Sequence, residues 1–315
     1  MKRLRSVACA ATVFLAVAPV SAAGPGLGQN PRVKHLVDDY AESFSPDGRT
    51  IVFSRWFSTQ RYGVDPHPSP KRAVLILMRA DGSGKRVLRH PGATFEYDAG
   101  FSPEGRSIVF VRDERIYVMR RNGSGAHPLR RDSLEQACPR FSPDGSMISL
   151  WRGRTAKSGA YFVMSSDGTG LRRIARVGRD PPWGCPSWFP DGKRLVFVKR
   201  YNLYVASMGS ASIQRITDDG DGTFYRPSVS PDGRWIACDG DSRSGSGITV
   251  LRADGTRIRR ITSRTDEFRN DSGPSWSPNR KRILFSGYRP LYEGAGVYVV
   301  RPDGGGLRRL SNFRR

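Results

Sequence analysis

The chain has 315 residues, which is within the range of a single barrel-like or propeller domain. Lysine and arginine number 52, aspartate and glutamate number 29, and the formal net charge is +23. A hydrophobic fraction of 37%, together with 35 glycines and 22 prolines, argues against a helical bundle, a coiled coil and a polytopic membrane protein. This composition favours many short elements joined by tight turns.

The first 23 residues have the three parts of a secretory signal peptide. Lys2, Arg3 and Arg5 form a basic start, residues 7–20 are almost purely apolar, and small residues follow. A membrane anchor is the alternative, but about 14 apolar residues are too few to span ~30 Å of hydrocarbon. We therefore expect a signal peptide over 1–23, a short linker over 24–31, and an exported mature chain without a transmembrane segment, periplasmic or extracellular.

A sixfold repeat fills the rest of the chain. The turn sequence Ser-Pro-Asp-Gly, or a close variant, recurs at intervals of 40 to 57 residues, with its proline at Pro46, Pro103, Pro143, Pro190, Pro231 and Pro278. Proline presets φ, the acidic side chain caps the turn and glycine accepts positive φ, so each motif predicts a hairpin turn. A period in the forties with strand-like content is typical of a four-stranded propeller blade.

The residues between these turns predict the remaining strands. A second and a third strand, TIVFSR at 50–55 and VLILMR at 74–79 in the first repeat, are rich in β-branched residues. An Asp-Gly or Asn-Gly hairpin and a short, arginine-rich fourth strand follow, as expected of an outer edge. The prediction is an all-β fold, a six-bladed β-propeller of four-stranded antiparallel blades over 32–315. The segment RVKHLV at 32–37 resembles a further fourth strand, which we expect to help close the ring.

The repeated pattern of an SPDG turn followed by I-x-F, IYVM and DG-x-x-LRRIT segments resembles the TolB-type six-bladed propellers. That family includes periplasmic TolB proteins and propeller domains attached to peptidases. The resemblance covers about residues 32–311, without the α/β domain that precedes the propeller of full TolB proteins. Two departures are Asn279 and Arg280, in place of Asp-Gly in blade six, and Val229, in place of an aromatic residue in blade five.

Acidic residues concentrate in the loops that lead from each fourth strand to the next blade, where fourteen of the 29 lie. In a propeller these loops surround the channel mouth. Acidic and aromatic residues together suit recognition of a protein, a basic peptide or a sugar, although aspartate and glycine also populate loops because they form turns. The candidate partner-binding residues are Asp39, Tyr40, Glu96, Tyr97, Asp98, Trp183, Asp218, Asp219, Asp221, Phe224, Tyr225, Asp266 and Phe268.

Blade one carries an insertion of about sixteen residues, 56–71, between its second and third strands. Its position places it on the same face, so Trp56 and Tyr62 join the candidate contacts. Loops of this length in compact folds are often functional or mobile, and a disordered surface excursion is the alternative.

The sequence offers little support for catalysis or a metal site. The GxSxG, HExxH, P-loop and Cys-x-x-Cys motifs are absent from it. The run from Asp218 to Gly222 alternates carboxylates with glycine, as some calcium loops do, but it lacks the glutamate that closes an EF-hand, and turn chemistry explains it better. We expect no cofactor and no metal.

Three cysteines remain in the predicted mature chain. Cys238 occupies a column of buried phenylalanines and is predicted to be a buried thiol. Cys138 and Cys185 share one repeat position in neighbouring blades. An oxidising compartment permits a disulfide, but equivalent residues of adjacent blades are expected to point the same way round the ring, which favours two separate thiols.

The favoured function is an exported, non-catalytic propeller that binds a protein or peptide at its acidic, aromatic channel mouth. The alternative is a propeller lyase or hydrolase acting on a small or carbohydrate substrate. The arginine-rich fourth strands suggest weak contact with an anionic envelope surface. Export and the lack of a nucleic-acid motif disfavour nucleic-acid binding.

Overall fold

The computed structural model describes residues 33–61, 70–88, 90, 92–154, 158–176, 184–210, 212–242, 245–262, 270–289 and 294–311. These residues form six four-stranded antiparallel sheets, each built from four consecutive strands. The predicted six-bladed propeller is therefore confirmed. The predicted signal peptide and linker lie outside the described residues.

The first strand of each blade lines a central channel, and the fourth strand lies at the outer rim. Blades one and two comprise β1 (Val33–Phe44), β2 (Thr50–Arg61), β3 (Pro70–Arg79), β4 (Arg86–Val87), β5 (Glu96–Phe101), β6 (Ser107–Arg112), β7 (Arg115–Arg120) and β8 (His127–Pro128). Blades three and four comprise β9 (Glu135–Phe141), β10 (Met147–Gly153), β11 (Gly159–Ser165), β12 (Arg172–Arg176), β13 (Ser187–Trp188), β14 (Arg194–Lys199), β15 (Asn202–Ser207) and β16 (Ile213–Arg215). Blades five and six comprise β17 (Gly222–Val229), β18 (Trp235–Ser242), β19 (Gly245–Arg252), β20 (Arg259–Arg260), β21 (Asn270–Trp276), β22 (Ile283–Arg289), β23 (Gly294–Val300) and β24 (Arg308–Arg309).

The SPDG turns join the first and second strands, as predicted. In blade one the Ser45 hydroxyl donates to Asp47 and accepts a hydrogen bond from Thr50 N at 3.0 Å, while Asp47 accepts one from Arg49 N at 2.9 Å. These bonds keep the pKa of Asp47 below its usual value, because they favour the carboxylate. The turn is thus closed by its own side chains.

Blade six keeps this turn despite its altered sequence. Asn279 accepts hydrogen bonds from the Ser277 hydroxyl at 2.9 Å and from Lys281 N at 3.1 Å, so its amide oxygen replaces the carboxylate. Arg280 takes the place of glycine at φ +61°, a conformation that costs a non-glycine residue about 1 kcal/mol.

Glycines of the outer hairpins bring neighbouring blades into contact. A Cβ on Gly255, where φ is +91°, would lie 1.6 Å from the carbonyl oxygen of Ile216 in the preceding blade. A Cβ on Gly82 of blade one would lie 2.7 Å from the corresponding oxygen of Leu310 in blade six. The ring therefore closes with the same close approach that joins other blades.

The segment at 32–37 is not an additional fourth strand. Residues from Val33 onward belong to β1, which pairs with β2 from Val33 opposite Arg61 to Phe44 opposite Ile51. The predicted insertion explains this difference, because residues 56–61 extend β2 and supply β1 with a partner. Residues 56–61 and 70–71 of the insertion are strand, and residues 62–69 lie outside the described part.

Aromatic residues at the ends of the inner strands pack between blades. Phe44 belongs to a buried cluster with Leu284 and Val297 of blade six, and Trp188 belongs to one with Val163 of blade three. The Trp188 indole N–H also donates to the carbonyl oxygen of Arg140 at 3.2 Å. The predicted buried thiol, Cys238, is free and fully buried, and burial raises its pKa.

Candidate binding site in the channel

A central cavity of about 390 Å³ lies between the six inner strands, and all six blades contribute to its wall. This size is within the range of small-ligand sites. We call it the central cavity.

A β-bulge in the inner strands shapes this cavity. The register shifts at Glu42 in blade one and at Asp98, Cys138, Arg226 and Gly273 in later blades. The last four have φ values between +43° and +65°, which costs a non-glycine residue about 1–2 kcal/mol. Bulges re-aim side chains, and all five of these residues line the central cavity.

Two of the bulge residues form a pair of buried acids. The backbone N–H of Asp98 and the Ser54 hydroxyl both donate to Glu42 Oε1, at 3.0 and 2.9 Å, and Cys138 N donates to Asp98 Oδ2 at 3.0 Å. Burial, and next the charge of Asp98, raises the pKa of Glu42 to about 8, against the opposing effect of Arg140. Burial also raises the pKa of Asp98. Burial thus favours the protonated form of Glu42.

Two arginines face these acids. Arg140 Nη1 donates to the carbonyl oxygens of Asp98 and Pro139, at 2.9 and 2.8 Å, and its Nη2 lies 3.9 Å from Glu42 Oε2. Arg226 Nη1 donates to Asp239 Oδ2 at 3.0 Å. Both lower the pKa of Asp98 and so offset part of the effect of its burial.

An aromatic wall adjoins the acid pair. Tyr40 and Tyr97 each have a ring centroid 5.5 Å from that of Trp56, and all three residues line the central cavity. The Trp56 indole N–H donates to Ser54 at 3.0 Å, which links the wall to the hydroxyl that holds Glu42. Four predicted candidates, these three and Asp98, thus lie together in the cavity.

Cys138 and Cys185 form a disulfide, with Cα atoms 4.6 Å apart, so the preference for two separate thiols was wrong. Equivalent positions of neighbouring blades approach closely here because the inner strands converge on the channel axis. The positive φ of Cys138, +59°, also changes the direction of its side chain. Both cysteines line the central cavity, and their sulfurs and an Asp98 carboxylate oxygen lie within 4.8 Å of one another.

Two predicted acids are buried in ion pairs instead of facing solvent. Asp39 is fully buried and accepts two hydrogen bonds from Arg55, at 2.7 and 2.9 Å. Glu96 is 2% exposed and lies 2.7 Å from Arg112 Nη2 and 2.8 Å from His90 Nδ1. Asp39 joins the first two strands of its own blade, and Glu96 also holds His90, which lies between the fourth strand of blade one and blade two.

The acidic run of blade five stands apart from the cavity lining, with Asp218 and Asp219 exposed and Asp221 half-buried. Asp219 accepts hydrogen bonds from Arg215 Nη2 at 2.6 Å and Asn202 Nδ2 at 2.8 Å, and Asp221 accepts one from Asp218 N at 2.9 Å. These bonds agree with the turn explanation of the run.

Of the aromatic candidates beside this run, Phe224 is buried in a core cluster. Tyr225 is half-buried, with its ring centroid 5.7 Å from that of Tyr201. Tyr62, Trp183, Asp266 and Phe268 lie outside the described residues.

Sequence reasoning did not single out Glu42, Arg140 or Arg226. Each lies three to five residues before the proline of its SPDG turn, on the inner strand. Alignment of the repeats on that proline would have placed these three residues in the same short stretch of the inner strand. The regular alternation of a strand would not have predicted that their side chains line the channel, because the bulge interrupts that alternation.

The family model of PD40, the TolB beta propeller domain, matches residues 116–314, which is more than half of the chain. The chain belongs to this TolB β-propeller family. An uncharacterised protein of Agrobacterium fabrum, Atu1656, is 25% identical over 67% of the chain and 74% of its own length. In the described part of the chain, helices of the length and hydropathy needed to cross a membrane do not occur.

Solved structures share the fold at low identity. A protein described as a TolB of Agrobacterium tumefaciens has a TM-score of 0.63 at 19% identity, covering 88% of this chain and 89% of that one. TolB from Acinetobacter baumannii has a TM-score of 0.63 at 18% identity, over 85% and 62%. An oligogalacturonate lyase in complex with manganese has a TM-score of 0.52 at 13% identity, over 85% and 90%. These likenesses concern the fold alone.

Proposed function

We propose that this protein is an exported, non-catalytic binding module whose central cavity accepts a segment of a protein or peptide partner. The observation that supports this proposal is the buried acid pair, Glu42 and Asp98, beside the aromatic wall of Tyr40, Trp56 and Tyr97. Aromatic rings and carboxyl groups together suit a segment that carries a positive charge.

The protonation of Glu42 makes this proposal specific. A ligand amine or guanidinium placed near Glu42 would favour its carboxylate, because an opposite charge lowers the pKa of an acid. With a pKa of about 8 in the free protein, Glu42 would then lose a proton when such a ligand binds at neutral pH. Binding of a cationic segment should therefore release protons, and this release should decline above pH 8.

Capture from an envelope extract tests the proposal. The immobilised protein is compared with Tyr97→Ala in the cavity and with the triple variant Asp218→Asn, Asp219→Asn, Asp221→Asn in the acidic run outside it. We expect a captured partner to be lost with Tyr97→Ala and retained with the triple variant. Equal capture by wild type and Tyr97→Ala, with both folded by circular dichroism, would contradict a site in the cavity.

The lyase or hydrolase alternative has one observation in its favour. A carboxyl group with a pKa of about 8, such as Glu42 beside Arg140, can exchange a proton near neutral pH, as a general acid or base must. Turnover of an added polysaccharide or peptide that disappears in Glu42→Gln would support catalysis. Capture of a partner without turnover supports the binding module.

A further inference from the structure

The face opposite the channel mouth carries an excess of positive charge. It consists of the SPDG turns and the outer hairpins, with the first residue of each following strand. These segments, 45–50 and 79–86 in blade one and their equivalents, contain 19 basic and nine acidic residues. We call this the turn face.

The most regular part of the turn face is the position directly after each SPDG turn. In five of the six blades this residue is basic and exposed, and in blade three it is Ser146. The five basic residues are Arg49, Arg106, Lys193, Arg234 and Lys281. None of these five side chains forms an ion pair with another residue that the structure describes.

A repeated backbone hydrogen bond holds this position in the same place in successive blades. The carbonyl oxygen of the residue accepts a hydrogen bond from the start of the outer hairpin, at 2.7 to 3.0 Å. The pairs are Ala80 N to Arg49 O, Arg121 N to Arg106 O, Ser166 N to Ser146 O, Met208 N to Lys193 O, and Ala253 N to Arg234 O. In blade six Pro302, which has no N–H, stands at the donor position. The basic residues therefore form a ring at one level of the propeller.

A second set of exposed arginines surrounds this ring. Arg79, Arg120 and Arg252 end the third strands of three blades, and Arg301 directly follows the third strand of blade six. The acidic residues of the same face include turn aspartates such as Asp144 and Asp254, which accept hydrogen bonds from their own turns. Because lysine and arginine side chains are longer than that of aspartate, positive charge dominates the outermost layer of the face.

We propose that the turn face docks on an anionic lipid surface and that the channel mouth faces away from it. A planar membrane can meet all blades of a level ring at once, whereas a single linear polyanion can follow only part of it. Anionic lipids attract basic residues near the surface, at about a fivefold gain in binding per residue. This contact uses the turn face rather than the arginine-rich fourth strands from which the sequence predicted it.

Vesicle co-sedimentation tests the contact. The probes are vesicles of equal parts phosphatidylglycerol and phosphatidylcholine, and vesicles of phosphatidylcholine alone. We expect binding to the anionic vesicles only. The variant Arg49→Gln, Arg106→Gln, Arg234→Gln should bind about a hundredfold more weakly, from the fivefold gain per residue.

The matched control is the variant Arg131→Gln, Arg154→Gln, Arg200→Gln, which removes three positive charges from the mouth. These three arginines are also exposed. The binding of this variant should stay within a fewfold of wild type, since salt screens charges beyond about 10 Å at 0.1 M ionic strength. Equal weakening of the two variants, or no binding of wild type to anionic vesicles, would overturn the proposal.

A dye attached to the turn face tests the orientation. Ser146→Cys lies in the ring position of blade three, and Ser133→Cys lies in the exposed loop before β9 at the mouth. Nitroxide-labelled lipid in the anionic vesicles should quench a fluorophore at position 146 and not at position 133. The reverse pattern, or equal quenching, would contradict docking through the turn face. If wild type binds soluble polyphosphate but not anionic vesicles, the ligand of the turn face is an anionic polymer and the membrane proposal is wrong.

Discussion

The backbone N–H of Asp98 donates a hydrogen bond of 3.0 Å to Oε1 of Glu42, across the boundary between blades two and one. Both residues occupy the bulge of their inner strands, so the repeat brings one acidic side chain beside the other. The cavity thus contains two carboxyl groups whose pKa values burial raises, in a chain whose net charge is strongly positive.

Glu42 should make the protein less stable as the pH rises. Its pKa is about 8 in the folded protein against an ordinary 4.5, so the folded state binds more protons between these values. The stabilisation is complete below about pH 4.5 and is lost as the pH approaches 8. Urea unfolding at pH 5, 6.5 and 8 should show this decline, and Glu42→Gln should flatten it. An unchanged slope in the variant would contradict the assignment to Glu42.

Trp188 should contribute to the contact between blades three and four. We expect Trp188→Ala to lower the free energy of unfolding by about 3–5 kcal/mol, because it removes a large buried side chain. Trp188→Phe is the matched control: it keeps most of the apolar contact and loses the hydrogen bond to Arg140 O, which is worth about 1 kcal/mol. An alanine variant with the denaturant midpoint of wild type would show that the residue does not pack between blades.

Gly255 should tolerate no side chain. Gly255→Ala combines a positive φ with a Cβ directed at the carbonyl oxygen of Ile216, so we expect a loss of more than about 1 kcal/mol. Gly209→Ala, where a Cβ meets nothing within 4 Å, is the control and should be close to neutral. Equal thermal midpoints for the two variants would contradict the inferred close contact between blades four and five.

In a chain that begins at residue 24, the disulfide should leave one free thiol. Titration under denaturing, non-reducing conditions is expected to detect Cys238 alone, and a count of three would refute the bridge. The variant Cys138→Ser, Cys185→Ser should be about 2–4 kcal/mol less stable, because the bridge restricts the unfolded chain. A thiol reductant should lower the stability of wild type and leave that of the variant unchanged.

The repeat allowed the fold and the strand order to be predicted, because turn chemistry at Pro46 and its equivalents depends on local sequence. Part of the candidate site could also be predicted, since Tyr40, Trp56, Tyr97 and Asp98 lie in the cavity. Glu42 is one of the fourteen acidic residues that the sequence places around the mouth, but it was not singled out, because its pairing with Asp98 depends on contacts between blades. The disulfide was missed because the distance between Cys138 and Cys185 depends on how closely the inner strands converge, which sequence spacing does not encode.

The disulfide also distinguishes one junction of the ring from the other five. Within a blade, the chain is held by ladders of backbone hydrogen bonds, while neighbouring blades meet mainly through side chains and isolated hydrogen bonds. Blades three and four are joined covalently as well, at the innermost strand. Under mechanical tension the oxidised ring would separate at another junction first, and blades three and four would stay together as a single eight-stranded unit.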